Sequence, residues 1–238
     1  MSAPAVTVHS EERIAAVLAM VAGYVDAYGY LTYNTYLSFM SGNTTQAGIR
    51  TEAGNLASAL PMLLAILFFI IGVAAGTLIV QSRTHQSRRM GLGLVAVLFV
   101  SVIAVTELRR LISVAIGLPI VVLTFAMGIL NTSLSHVGAE SVSLTFVTGT
   151  LTKIGNHLAL AFARVPLADA REPGDTHSRR ALLLGGLWSA FFSGALLAAA
   201  MTPHFAGWTL LLPTIVLLVL STSAPTMTRT SNHDTRLK

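Results

Sequence analysis

The chain has 238 residues, 53% of them hydrophobic and 11% charged, with a net charge of +5 and no cysteine. Soluble domains carry about 25% charged residues, so these charges are too few to cover a water-facing surface, and a soluble globular class is excluded. The missing cysteines exclude disulfides, thiolate chemistry and Cys-based metal sites. In so apolar a chain the basic residues serve topology, so the excess positive charge does not point to nucleic acid.

Residues 1–12 read as a polar N-terminal tail. Glu11, Glu12 and Arg13 lead into an apolar stretch too long for a signal-peptide core and without a small-residue cleavage pattern, so no cleaved leader is expected. Six apolar segments follow, near residues 14–34, 60–80, 91–107, 112–135, 180–201 and 207–221. Each approaches the roughly 20 helical residues that a hydrocarbon core requires. Pro61, Pro119 and Pro213 fall at span starts or kink the helices they enter. A weaker segment, 151–165, is too short to cross alone, and residues 166–179 form a polar loop. The expected fold class is therefore an all-α polytopic membrane protein.

Charge bias gives the orientation. With six spans and the N-terminus inside, the cytoplasmic parts hold twelve of the 15 basic residues, and only Arg50, Arg109 and Arg110 stay outside. Both termini, including the tail 222–238, are expected in the cytoplasm.

Two stretches share a phrase. "FMSGNTTQAG" (39–48) and "FVTGTLTKIG" (146–155) place Phe39, Ser41, Gly42, Thr45 and Gly48 in register with Phe146, Thr148, Gly149, Thr152 and Gly155. Upstream, "AGYVDA" (22–27) aligns with "MGILNT" (127–132), pairing Asp26 with Asn131. Downstream, "FFIIGVAAG" (68–76) aligns with "AFFSGALLA" (190–198), pairing Gly72 with Gly194. The chain thus reads as two repeats, 13–110 and 111–221. Three spans per repeat reverse the chain, so the second must lie upside down, a recurring plan of secondary transporters.

The paired motifs "GYVDAYGYL…FMSGNTTQAG" and "MGILNT…FVTGTLTKIG" closely resemble the YoaK-type family of bacterial multi-spanning membrane proteins, over nearly the whole chain. Where the family pattern has Thr-Gly-Asn, this chain has Ser41, which keeps the hydroxyl. The resemblance implies a multi-pass protein of the bacterial cytoplasmic (inner) membrane. It implies no substrate, because the family is uncharacterised.

Each shared phrase suggests a helix, a non-helical break and a new helix start, with breaks at Ser41-Gly42-Asn43 and Thr148-Gly149-Thr150. Ser41 or Thr44 would cap the first new helix, and Thr148 or Thr150 the second. A helix beginning at membrane depth presents unpaired N–H groups and partial positive charge, which suits an anionic or strongly polar solute. Lys153, one of two lysines, adds charge to the second phrase. The alternative is two ordinary glycine-containing connections. Asp26, near the middle of the first span, is either a proton or cation coupling site or a carboxyl tied to Asn131. The expected substrate-binding set is Asp26, Ser41, Gly42, Asn43, Thr44, Asn131, Thr148, Gly149, Thr150 and Lys153.

All five tyrosines, 24, 28, 30, 33 and 36, cluster in and just after the first span. Tyr33 and Tyr36 suit interfacial anchoring, and Tyr24 and Tyr28 a cavity beside Asp26. His136 and Glu140 share a helical face if that segment is helical, but no third metal ligand accompanies them. Glu107 and Arg110 suit an exposed ion pair at a span end.

The leading function is a secondary transporter or permease for a small polar or anionic solute, proton-coupled through Asp26. No Walker phosphate loop is present, so it is no ATPase by itself. A non-transporting membrane scaffold is the second function. The third, an intramembrane enzyme, rests on Ser193-Gly194, where Phe191 replaces the leading glycine of the serine-nucleophile motif. No cofactor or metal is expected. The partners expected are membrane lipid, a small-molecule or ion substrate and a second copy in a homodimer.

Overall fold

The computed structural model describes residues 5–81, 87–108, 117–132, 136–137, 140–141, 147–168, 170 and 174–223. Within them the chain forms α1 (Ala5–Tyr33), α2 (Met40–Glu52), α3 (Leu56–Gln81), α4 (Ser87–Leu108) and α5 (Gly117–Thr132). After the short strands β1 (His136–Val137) and β2 (Glu140–Ser141) come α6 (Val147–Phe162), α7 (His177–Phe205), a 3-10 turn (Ala206–Leu210) and α8 (Leu211–Ser223). The expected Glu107–Arg110 pair, Phe146 and the C-terminal basic residues lie partly or wholly outside the described residues.

Among the described residues, four segments are long and apolar enough to cross a membrane: Glu11–Tyr33, Leu56–Gln81, Arg89–Glu107 and His177–Thr222. The last is 46 residues long and includes both α7 and α8, so it covers two of the expected spans. The described part of α5, Gly117–Thr132, is a shorter apolar helix.

Local chemistry sets the ends. α1 stops at Asn34, which takes a left-handed conformation (φ 52°) that asparagine tolerates better than most residues. After α2 the chain turns at Gly54 (φ 72°), and the Asn55 side chain then accepts the Ser58 N–H to start α3. Thr176 caps α7 by accepting the Arg179 N–H. His136 and Glu140 do not share a helical face: they lie on antiparallel strands, with His136 opposite Ser141 and Val137 opposite Glu140.

α1 is central and α3 peripheral: 61% of the apolar stretch of α1 is buried, against 17% of that of α3. Leu18, Val25 and Tyr28 of α1 form the core with Leu92 and Phe99 of α4, Leu123 and Met127 of α5, Leu184 of α7 and Leu217 of α8. The outward side chains of α3, including Leu63, Leu67 and Ile70, form an apolar face suited to lipid.

The helices pair across the sequence. α1 lies against α7 and α3 against α5, while α4 contacts α5 and α8. Both main crossings are made at glycines. A Cβ on Gly23 would strike the backbone carbonyl of Phe191, and one on Gly194 that of Met20. At the other crossing a Cβ on Gly72 would strike the Phe125 carbonyl, and one on Gly128 that of Phe69. Without a hydrophobic drive between helices in lipid, such close backbone approach supplies the packing energy.

Candidate functional site

Between α1 and α2, residues 34–39 are non-helical, and their backbone groups need partners inside an apolar protein. Asp26 supplies them. Its Oδ1 accepts the N–H of Leu37 (2.8 Å) and of Ser38 (2.6 Å), and its Oδ2 accepts the Ser38 hydroxyl (2.6 Å). Asp26 lies seven residues before the end of α1. The break therefore doubles back about 10 Å, two turns, along the helix. The carboxylate is 4% exposed, so these bonds are shielded from water.

Asn43 holds the other side of the break. Its Oδ1 accepts the Tyr36 N–H (3.0 Å), and its Nδ2 donates to the Tyr36 carbonyl (2.7 Å). This is a two-way clasp of one residue's backbone, made by a fully buried side chain. Gly42 is required beside it, because a Cβ there would collide with the rings of Phe39 and Tyr36. Those rings meet edge-on at 5.2 Å, and Tyr36 also stacks on Tyr30 at 4.8 Å.

The expected hydroxyl caps are not made at the first phrase. α2 begins at Met40 with Phe39 as its cap residue and no side-chain cap bond. Ser41-Gly42-Asn43 therefore forms the first turn of α2 and follows the break. Asp26 and Asn43 satisfy the break, so the helix starts ahead of the hydroxyls. Thr44 and Thr45 then donate back to the Met40 and Ser41 carbonyls, a bond available only inside a helix. Ser41 and Thr44 are exposed.

In the second phrase α6 starts at Val147, which places Thr148-Gly149-Thr150 in its first turn. Thr148 is exposed, and Gly149, Thr150 and Lys153 are half-buried. Asn131 is half-buried at the end of α5. Among the described residues, α2 packs on α3 and α6 on α7, and α2 and α6 share no extensive packing interface. Asp26, Gly42 and Asn43 thus gather around one break, while Thr148, Gly149, Thr150 and Lys153 stand on a separate helix.

Tyr24 and Tyr28 do not line a cavity, being 2% and 0% exposed. Tyr24 donates to the Thr209 carbonyl (2.9 Å), and Tyr28 meets the Tyr33 hydroxyl (3.4 Å). Ser193 is exposed, and its hydroxyl donates to the Ser189 carbonyl. The partners that sequence reasoning missed are Leu37, Ser38 and Tyr36. The available signal was the need of any break for nearby acceptors.

Asn43→Ala is expected to lower the unfolding free energy by about 2–4 kcal/mol, because it strands the N–H and the carbonyl of half-buried Tyr36. Ser41→Ala, at an exposed position, should stay within about 0.5 kcal/mol. Equal losses in detergent unfolding titrations would refute the clasp.

The family model described as "Protein of unknown function (DUF1275)" matches residues 14–223. The chain is 29% identical over 211 residues to UPF0700 transmembrane protein RA0705 of Rhizobium meliloti (strain 1021), covering 89% of this chain and 84% of that one. It is 28% identical over 142 residues to UPF0700 transmembrane protein YoaK of Bacillus subtilis (strain 168), covering 58% and 62% respectively. No solved structure matches the chain. With its apolar helices, its transmembrane relatives and the match over residues 14–223, the chain is a helical membrane protein that belongs to the DUF1275 family.

Proposed function

We propose that the protein is a secondary transporter for a small polar or anionic solute, built from two inverted three-span repeats, 13–110 and 111–221. It resides in the bacterial cytoplasmic membrane with both termini in the cytoplasm. One observation carries this reading: the two glycine crossings exchange under the alignment of the repeats. The registers that pair Gly23 with Gly128 and Gly72 with Gly194 turn the Gly23–Phe191 contact into Gly128–Phe69. They also turn Gly194–Met20 into Gly72–Phe125. The registers came from residue types alone, so contacts that obey them support a pseudo-two-fold axis. With an odd number of spans per repeat, that axis lies in the membrane plane, as in many alternating-access carriers.

Solute chemistry follows from the two helix starts. The first turns of α2 (Ser41, Gly42, Asn43, Thr44) and α6 (Thr148, Gly149, Thr150) present N–H groups, and Lys153 adds a cation. Asn131 holds the position in the second repeat that Asp26 holds in the first. Asp26 couples to protons mechanically in this scheme. A proton on the carboxylate weakens its grip on Leu37 and Ser38 and frees the break to move.

The test is flux into proteoliposomes under an imposed pH gradient, preceded by a thermal-shift screen of polar and anionic metabolites. A solute that stabilises the native protein but not Lys153→Ala, and that the gradient accumulates, is the expected result. No stabilising solute and no gradient-driven flux would overturn transport in favour of a scaffold.

A further inference from the structure

We propose that His157 and His177 form a pH-sensitive latch joining α6 to the start of α7. It rests on this pair of side chains and does not depend on the transport reading. The two Nδ1 atoms lie 2.8 Å apart, with ring centroids at 5.1 Å. At that distance one ring donates an N–H and the other accepts through its lone pair. The Nε2 of His177 is buried without a hydrogen-bond partner, in a side chain 8% exposed. A bare nitrogen is less costly there than an unmet N–H. This assigns His177 as the Nδ1–H donor and His157 as the acceptor.

The pair keeps its bond with no added proton or with one. A second proton removes the lone pair that accepts this bond and leaves two cations in contact, so the latch opens. Among the described residues, positive charge gathers at this corner. His177 opens α7, where the helix dipole is positive. Arg180, one turn on, is buried and holds Asp175 through two bonds of 3.1 and 2.9 Å. Lys153 precedes His157 by one turn on α6. From α1, Glu12 is engaged by Arg179 at 3.4 Å, with Glu11 and Arg13 beside it in sequence. The 3-10 turn at the far end of α7 carries no titratable side chain. Asp175 and Glu12 are thus already committed to arginines.

The corresponding corner of the first half is built differently. In the register of Gly42 with Gly149, Arg50 falls opposite His157; in that of Gly72 with Gly194, Asn55 falls opposite His177. Arg50 ties α2 to α3 by donating to the Ser58 carbonyl (2.9 Å) and to the Met62 sulfur (3.4 Å). A guanidinium stays charged at every accessible pH. Acid therefore loosens α6 from α7 and leaves α2 on α3.

The chain lacks cysteine, so spin labels at Asn156→Cys and Ser178→Cys, both exposed, report this corner in the full-length protein in lipid nanodiscs. Between about pH 8 and pH 5, the window of imidazole chemistry, the label distance should lengthen and broaden reversibly. His157→Arg/His177→Asn, which installs the first-half pair, should abolish the step. If that variant does not fold, His157→Gln serves the same purpose. A step that persists in the folded variant, or that is absent with both histidines present, overturns the latch. So does a chelator-reversible thermal stabilisation by zinc alone at pH 8, which would make the pair a ligand set.

Discussion

Asp26→Ala is expected to lower the unfolding free energy by about 3–6 kcal/mol, since each stranded buried donor costs about 1–3 kcal/mol. Three donors lose their acceptor together: the N–H groups of Leu37 and Ser38 and the Ser38 hydroxyl. Asp26→Asn should cost far less, about 1–2 kcal/mol, because hydrogen bonds to a neutral acceptor are weaker but still made. An asparagine Oδ1 can take both backbone donors while its Nδ2 gives a hydrogen to the Ser38 oxygen. Steric-trap or denaturant unfolding of the two variants decides the matter. Equal losses would show that the negative charge, and not acceptor geometry, holds the break. The same asparagine variant separates structure from coupling: proton-driven transport predicts a folded protein whose flux no longer follows the pH gradient.

Gly23→Ala and Gly194→Ala are expected to be at least as damaging, costing about 3 kcal/mol or more or preventing assembly. Overpacking ordinarily costs about 1–3 kcal/mol when side chains can shift. Here the obstacles are backbone carbonyls of Phe191 and Met20, which move only if the whole helix moves. Gly72→Ala and Gly128→Ala should behave alike at the crossing of α3 with α5. Gly48→Ala, Gly155→Ala and Gly185→Ala supply the contrast, since nothing lies within 4 Å of a Cβ at those positions. All three are helical, so alanine should stabilise them by up to about 1 kcal/mol. Gly23→Ala with Gly194→Ala should cost less than the sum, because one separation relieves both clashes. Gly23→Ala with Gly128→Ala, at different crossings, should be additive. Comparable melting temperatures for Gly23→Ala and Gly48→Ala would refute the close approach.

Much of this architecture was legible because small residues and breaks leave marks in one dimension. The pairing of Gly72 with Gly194 came from residue identity, and both glycines proved to sit at crossings. Asp26 stood out as an ionisable group in an apolar run, and a break does follow α1. Its partners were not legible. Asp26 was weighed against Asn131, whereas its carboxylate meets Leu37 and Ser38, because the chain turns back after Asn34 and no periodic pattern encodes that reversal. The caps expected at the first phrase failed for a related reason: an acceptor distant in register satisfied the break before any hydroxyl was needed. His157 and His177 escaped notice because twenty positions and an irregular connection separate them. Only the repeat register, set against Arg50 and Asn55, marks their place.

The crossed pairing of helices also governs how the protein can be made. α1 emerges first, yet its main partner is α7; α3 waits in the same way for α5. At cellular rates of about 5–20 residues per second, α1 resides in the bilayer for roughly 10–30 s before α7 exists. Through that interval the glycine face that later meets α7 has only lipid, or an assembly factor, to lie against. Completion of the molecule is therefore a late event in biogenesis, and a ribosome that stalls before α7 leaves behind an inserted chain whose central helix lacks its main partner.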